Sequence, residues 1–243
     1  VSLGAWIYAV MPWDLTPSSA LTITVHEADT TGERPIVGRQ IGYERVAPDR
    51  LLDPERSMNA VVGRQTFGLL QYEQSGPSQS GGLPVSHEWP RIVQNVGVGD
   101  LPTEWMGLAP FETIVWTEGD PTRIESAAVA NAVREWVMRG GHLVVVMEPV
   151  GDGWFTEANP LRDVLPDVTT VRHEDVDLEP YRDLLTRPGA GSGGSEMPGG
   201  VIVHSFSRNE TATRSDAIGV AQGPQGTVIS RKLLGAGMVT VVG

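Results

Sequence analysis

The sequence contains no cysteine among its 243 residues. A chain without cysteine has no disulfide bonds, no thiolate ligands for a metal and no cysteine nucleophile. Long apolar runs are missing as well, because nothing approaches the roughly 18 consecutive apolar residues that a transmembrane helix requires. The most apolar stretch near the start, residues 3–13, is too short and contains Pro12. These absences exclude a disulfide-stabilised scaffold and a thiol-dependent enzyme.

Positive charge is also scarce. The chain has 18 lysines and arginines against 30 aspartates and glutamates, which gives a net charge of −12 at pH 7. Nucleic acids and anionic membrane surfaces are bound through basic patches, so neither is an expected partner. A composition of 40% hydrophobic and 20% charged residues is ordinary for a globular protein. We therefore expect a folded, acidic chain.

Residues 112–147 have the pattern of a complete βαβ unit. Glu112–Thr117 is short, apolar and rich in β-branched and aromatic residues, which is typical of a buried parallel strand. His142–Met147 shows no polar alternation, so both of its faces are predicted to be covered. A helix between two such strands implies a right-handed parallel crossover. We predict that Ile114-Val115 and Val144-Val145 lie in neighbouring parallel strands, with helices on both faces of the sheet.

The segment between these strands is predicted to be a helix over residues 123–139. Thr122–Glu125 has the spacing of a capping box, and Gly140-Gly141 provides a stop signal. The apolar stripe of the helix includes Trp136, whereas Arg134 lies on the opposite side. We therefore expect Trp136 in the core and Arg134 in solvent.

A family resemblance covers residues 92–150. They contain, in order, the run LPTEWMGLAPFETIVWTEGD, a helix ending in WVMRGG and the strand HLVVV. This order resembles the class I glutamine amidotransferase-like superfamily, and most closely the variants found as soluble segments of bacterial membrane proteins. The resemblance implies a mainly parallel, flavodoxin-like sheet with helices on both faces.

The chemistry of that family uses a cysteine on a tight strand-to-helix turn, with a histidine and a glutamate as partners. This sequence has no cysteine, and no Gly-x-Ser-x-Gly motif takes its place. The resemblance therefore implies a relative that has lost the amidotransferase reaction, and no cofactor is expected.

The sequence divides into three predicted parts. Residues 1–75 are β-rich and include the pattern of a hairpin at residues 21–46, residues 76–90 form a linker, and residues 91–243 form the α/β domain. Residues 226–242 contain two strand patterns around a glycine turn, which predicts a C-terminal β-hairpin. Whether the first part is a separate domain or extends the α/β sheet stays open.

The two ends suggest a piece of a longer protein. The chain begins with Val1 and stops inside an apparent strand at Gly243. We expect flanking membrane segments in the parent protein and a location on the extracytoplasmic, periplasmic side; a cytoplasmic location is the alternative.

One group of residues is predicted to form a site. In open α/β sheets, ligands bind beyond the carboxyl ends of the strands. Glu118 and Glu148 follow the two strands of the βαβ unit, and we expect Asp152, Trp154 and His204 to join them. Carboxylates beside a tryptophan suit a small polar or cationic ligand. The alternative is that both glutamates are solvated loop residues.

Three further patterns are interpreted as structural. Gly189–Gly194 matches G-x-G-x-x-G but does not stand between a strand and a helix, so it is predicted to be a linker. Residues 173–179 concentrate acids without the glycine and closing glutamate of a calcium loop. His26 and His87 lack a second histidine four residues later. No metal site is predicted.

The leading hypothesis is a non-catalytic, amidotransferase-like domain of a bacterial membrane-associated protein that binds a small polar ligand or a protein. A hydrolase that uses carboxylates at the strand ends is the second hypothesis. A structural spacer without a ligand is the third.

Overall fold

The computed structural model describes residues 21–29, 36–46, 58–70, 91–150, 153–185, 197–209 and 216–243. The predicted linker, residues 76–90, and Asp152 lie outside these ranges. The chain forms two compact units, one of residues 7–56 and one mainly of residues 57–243. None of the helices in the described ranges is long and apolar enough to cross a membrane.

The smaller unit contains a β-hairpin. Strand β1 (Leu21–Asp29) pairs antiparallel with β2 (Ile36–Val46), and Thr24 lies opposite Tyr43. The predicted hairpin at residues 21–46 is therefore confirmed.

The larger unit is built on a nine-stranded sheet with the order β4-β3-β5-β6-β11-β10-β8-β7, in which β9 also pairs with β10. Its strands are β3 (Met58–Val62), β4 (Arg91–Val96), β5 (Phe111–Trp116), β6 (His142–Val146), β7 (Val168–Val176), β8 (Val201–Arg208), β9 (Ile218–Gly223), β10 (Gly226–Leu234) and β11 (Gly237–Val242).

The sheet is mixed, whereas the sequence predicted a mainly parallel one. Four pairings, which join β4, β3, β5, β6 and β11, are parallel. The four pairings that involve β7, β8, β9 and β10 are antiparallel. Short turns join β9 to β10 and β10 to β11, and a tight turn permits only antiparallel pairing. The second of these turns closes the C-terminal β-hairpin that the sequence predicted.

The central βαβ prediction is confirmed. β5 and β6 are neighbouring parallel strands, with Ile114 opposite Leu143 and Val115 opposite Val144. β3, which falls in the predicted N-terminal region 1–75, pairs in parallel with both β4 and β5. It belongs to the large sheet and not to the unit that contains β1 and β2.

Few helices accompany this sheet in the described ranges. They are α1 (Ala127–Met138), α2 (Arg182–Leu185) and several single 3-10 turns. α1 contributes its buried stripe to the core formed with β5, β6 and β11. α2 has only one turn, so the predicted cover of helices on both faces is not established.

Helix α1 begins later than the capping-box pattern predicted. Its N-cap is Ser126, whose hydroxyl accepts a hydrogen bond from the Ala128 N–H at 3.2 Å. Thr122 instead belongs to a 3-10 turn, in which Asp120 accepts bonds from its amide and its hydroxyl. Thr122, the predicted N-cap, is therefore hydrogen-bonded to Asp120 and does not cap the helix. The stop is as predicted, because Gly140 takes the left-handed conformation with φ 122°.

The stripe of α1 faces the core as predicted. Trp136 is 3% exposed, and its indole N–H donates to the carbonyl of Phe111 at 3.1 Å. Arg134 is not a free surface residue, however. It donates two hydrogen bonds to the carboxylate of Asp163, both at 2.8 Å, and a third to the carbonyl of Pro160. The expectation for Arg134 was wrong because its partner lies in a loop 29 residues away.

Candidate functional site

An open cleft lies at the edge where the parallel strands end. Its volume is ≈ 1040 Å³. The loops that follow β3, β4, β5 and β6 line it, together with Ile202 of β8 and Gly243 after β11. This is the edge of the sheet at which the sequence predicted a site.

The loops at this edge are packed tightly against one another. Gly63, which follows β3, donates its N–H to the carbonyl of Val96 at 3.1 Å. On its other side, a Cβ at Gly63 would lie 2.7 Å from the backbone nitrogen of Glu118. Its φ of 112° also favours glycine. Any side chain at position 63 would push apart the loops that form the floor of the cleft.

The two predicted glutamates line the cleft together, and each holds a neighbouring loop. Glu118 accepts a hydrogen bond from the Arg64 N–H at 3.2 Å. Glu148 accepts one from the Gly119 N–H at 2.9 Å. The loop after β3 is therefore bound to the loop after β5, which is bound to the loop after β6.

Hydroxyl groups are scarce in the cleft. Within the described lining, only Thr117 carries one. Thr117 is 4% exposed, and its hydroxyl donates to the carbonyl of Val62 at 3.2 Å. The hydroxyl is therefore buried and hydrogen-bonded, and it is not placed to act as a nucleophile in the cleft.

Three polar side chains of the lining are free. In the described part of the chain, Gln65, Asn95 and Arg123 make no side-chain hydrogen bond or ion pair, and all three are exposed. Asn95 has a φ of 59° and lies in a bulge where β4 has one residue more than β3. Bulges beside a site redirect side chains, and here the bulge brings an unpaired amide to the cleft.

Apolar side chains cover much of the remaining surface. Phe67 is 61% exposed and Val150 is 76% exposed, and both belong to the lining. Large exposed apolar groups that gather around a concave surface are typical of ligand-binding or protein-binding sites.

Trp154 and His204 are not among the residues that line the cleft. Trp154 is 4% exposed and packs edge-on against Trp116, with 5.0 Å between the ring centroids. His204 lies on β8 and is 5% exposed. Burial, assisted by Arg172 and His173, lowers the pKa of His204 and favours its neutral form. The structure thus brings Glu118 and Glu148 together but keeps Trp154 and His204 in the interior.

A second, smaller cavity of ≈ 410 Å³ is lined by charged residues around Asp163 and Lys232. Two of its charged side chains pair with residues outside the lining: Lys232 with Asp216 at 2.7 Å, and Asp163 with Arg134 at 2.8 Å. The described residues contain no group of three or more histidines, aspartates or glutamates that is placed to hold a metal ion.

The sequence interpretation missed Arg64, Phe67, Asn95 and Arg123. A usable signal was present for the first three. Residues 60–62 are an apolar run followed by glycine, and residues 91–96 form a second strand pattern. Had both been assigned to the parallel sheet, the residues at and beyond their carboxyl ends would have been predicted at the same edge as Glu118.

No family model matches the chain, and no curated protein sequence matches it. Among solved structures, a cytoplasmic protein from Salmonella typhimurium aligns with a TM-score of 0.45 at 13% identity, over 91% of this chain and 83% of that one. A second cytoplasmic protein from Salmonella typhimurium LT2 gives 0.43 at 12% identity, over 91% and 84%.

A β-galactosidase from Bacillus circulans sp. alkalophilus gives a TM-score of 0.38 at 13% identity, over 77% of this chain and 28% of the enzyme. Similarities as low as these three do not establish a shared activity.

Proposed function

We propose that this chain is a non-catalytic, amidotransferase-like domain that binds a ligand in the cleft at the carboxyl ends of its parallel strands. One observation carries the proposal. The polar groups best suited to chemistry in the cleft, Glu118, Glu148 and Thr117, are all hydrogen-bonded to the backbone of neighbouring segments. The exposed groups that remain are suited to binding.

The strand order supports the flavodoxin-like part of this proposal. Numbered along the chain, the parallel strands β3, β4, β5, β6 and β11 lie in the order 2-1-3-4-5. Flavodoxin-like sheets have this order, and their ligands bind beside the point where it reverses. That point lies between β3 and β5, and their following loops line the cleft.

The proposed setting is a bacterial membrane-associated protein, as the sequence resemblance implies, and a protein segment is an alternative ligand for the same cleft. The open form of the cleft and its exposed Phe67 and Val150 are compatible with either kind of ligand. Binding of a small molecule is the simpler of the two to measure.

Fragment binding followed by NMR tests the proposal. Aromatic fragments of different charge, added at millimolar concentration, should shift the amide signals of Gly63, Gly97 and Gly119. Gly99→Trp should abolish these shifts, because a Cβ at Gly99 has no neighbour within 4 Å and the added indole enters open space at the cleft.

The matched control is Gly199→Trp, at a second exposed glycine with no neighbour within 4 Å and outside the cleft. It should leave the shifts unchanged. Shifts located elsewhere, or shifts that persist in Gly99→Trp, would contradict the proposed site.

A carboxylate hydrolase is the second candidate, because Glu118 and Glu148 do line one cleft. It requires at least one of them to exchange its backbone partner for a substrate or a water molecule. Ammonia release from glutamine and hydrolysis of nitrophenyl glycosides and esters should stay at the buffer blank. Hydrolysis that disappears in Glu148→Gln would favour the hydrolase over the binding domain.

A further inference from the structure

The charged side chains of the cleft that are available to a ligand are opposite in sign to the net charge of the chain. The chain carries −12, yet the two acidic side chains of the lining already accept backbone N–H groups. The two basic side chains of the lining, Arg64 and Arg123, extend into solvent. The groups best placed to meet a ligand are therefore positive.

Arg123 has no ion-pair partner within the described residues. Its charge interacts with that of Asp120, but the Oδ1 of Asp120 accepts from both the amide and the hydroxyl of Thr122. Those bonds, with a smaller contribution from the charge of Arg123, hold the pKa of Asp120 below its usual range. Asp120 thus remains ionised and committed to Thr122, and the guanidinium of Arg123 keeps its donors free.

Arg64 is held only weakly. Its Nε lies 3.6 Å from Glu118, and its side chain is 88% exposed. An exposed pair with this separation contributes little to stability. The guanidinium can therefore turn from Glu118 to a ligand at little cost, while the backbone N–H of Arg64 continues to hold the glutamate.

We propose that the cleft binds a small organic carboxylate with an apolar body. Arg123 and Arg64 hold the carboxylate, and Phe67 and Val150 cover the body. Guanidinium groups bind carboxylates through paired, charge-assisted hydrogen bonds. This inference rests on the proposed function, since it names the ligand class of the same cleft.

A carboxylate suits the cleft better than a phosphate does. The lining contains two arginines and two glutamates, so its formal charges balance. A phosphate monoester brings about two negative charges at neutral pH and is repelled more strongly by the glutamates. A carboxylate brings one. A cation would meet the two exposed arginines first.

Four probes with one aromatic ring separate these possibilities: phenylacetate, 2-phenylethanol, 2-phenylethylamine and phenyl phosphate. Dissociation constants are measured by NMR titration of the amide signals of Gly63, Gly97 and Gly119. Phenylacetate should bind most tightly and the amine most weakly. The affinity for phenylacetate should fall as salt is raised, because exposed charges are screened.

Arginine variants test the assignment directly. Arg123→Gln should weaken phenylacetate binding by about tenfold, as expected for the loss of a charge-assisted hydrogen bond. The same substitution should leave the dissociation constant of 2-phenylethanol unchanged. Arg64→Gln should act in the same direction. Arg91→Gln, at an exposed arginine at the start of β4 and outside the cleft, is the matched control and should have no effect.

The outcomes distinguish the two proposals. If the alcohol, the amine or phenyl phosphate binds in the cleft as tightly as phenylacetate, the carboxylate assignment is overturned and the cleft remains a ligand site. If Arg123→Gln and Arg64→Gln both leave phenylacetate binding intact, the role of the arginines is overturned. If no probe shifts the cleft signals, both proposals fail.

Discussion

The carboxylate of Glu148 accepts a hydrogen bond from the backbone N–H of Gly119 at 2.9 Å and so joins the loops that follow β6 and β5. The adjacent Glu118 repeats the arrangement toward the Arg64 N–H at 3.2 Å. The two glutamates therefore connect three loops in series along the floor of the cleft. Both carboxylates therefore have a structural role at the floor of the cleft.

This arrangement predicts different effects for two substitutions of Glu148. Glu148→Gln keeps an oxygen that accepts from the Gly119 N–H and should change the free energy of unfolding by less than about 0.5 kcal/mol. Glu148→Ala removes the acceptor and should cost about 1–3 kcal/mol, the usual range for a hydrogen bond to a charged group. Chemical denaturation measures the cost, and faster hydrogen exchange at Gly119 locates it.

The control for Glu148 is Glu125→Ala, at an exposed glutamate for which the structure shows no side-chain hydrogen bond. It should have little effect on either measurement. Equal destabilisation by Glu148→Gln and Glu148→Ala would mean that the negative charge, and not the acceptor oxygen, holds the loop.

The buried stripe of α1 gives a second prediction. Trp136→Ala should lower the free energy of unfolding by about 3–5 kcal/mol, because it empties a large, fully packed site. Met138, two residues further along the same helix, is 50% exposed, and Met138→Ala should cost less than about 0.5 kcal/mol. Urea denaturation of the two variants is the test. Similar costs would show that the helix is rotated relative to the sheet.

The pair formed by Arg134 and Asp163 gives a third prediction. The sequence predicted Arg134 in solvent, but its two hydrogen bonds to Asp163 and a third to Pro160 predict that Arg134→Ala costs about 1–2 kcal/mol. A double-mutant cycle with Asp163→Ala should give a coupling energy of about 0.5–1 kcal/mol. Strictly additive effects would show that the pair contributes nothing.

The same pair has a defined pH dependence. Hydrogen bonds from Arg134 hold the pKa of Asp163 below its usual range. A lowered carboxyl pKa stabilises the fold above the unfolded value of about 3.9 and loses that effect as the pH falls through the folded value. In Asp163→Asn, the free energy of unfolding should therefore fall less steeply as the pH is lowered into the acid range. An unchanged pH dependence in that range would contradict a contribution from Asp163.

A fourth prediction concerns His204. Burial lowers its pKa in the folded protein, so the unfolded state binds the proton first as the pH falls. Its contribution to stability is present above about pH 6.5 and is lost below that value. His204→Gln should reduce the slope of stability against pH below about pH 6.5. A slope that is the same in the unchanged protein and in His204→Gln would rule out His204 as its source.

Several features of this protein could be predicted from neighbouring residues alone. Apolar strand patterns around a stop at Gly140 predicted that β5 and β6 are parallel neighbours, and the glycines between residues 234 and 238 predicted the last hairpin. Both rest on interactions within a few turns of chain or across one connection. The absence of a cysteine nucleophile is likewise a property of the sequence itself.

Only the tertiary structure decided the sheet membership of β3, the partner of Arg134 and the composition of the cleft. Gly63 and Glu118 are 55 residues apart along the chain, yet their backbones pack together once β3 and β5 pair. The same packing exposes Arg123 and buries Trp154 against Trp116. Strand order and loop contacts depend on how the whole core closes, and this is why local patterns could locate the edge of the cleft but not the side chains that line it.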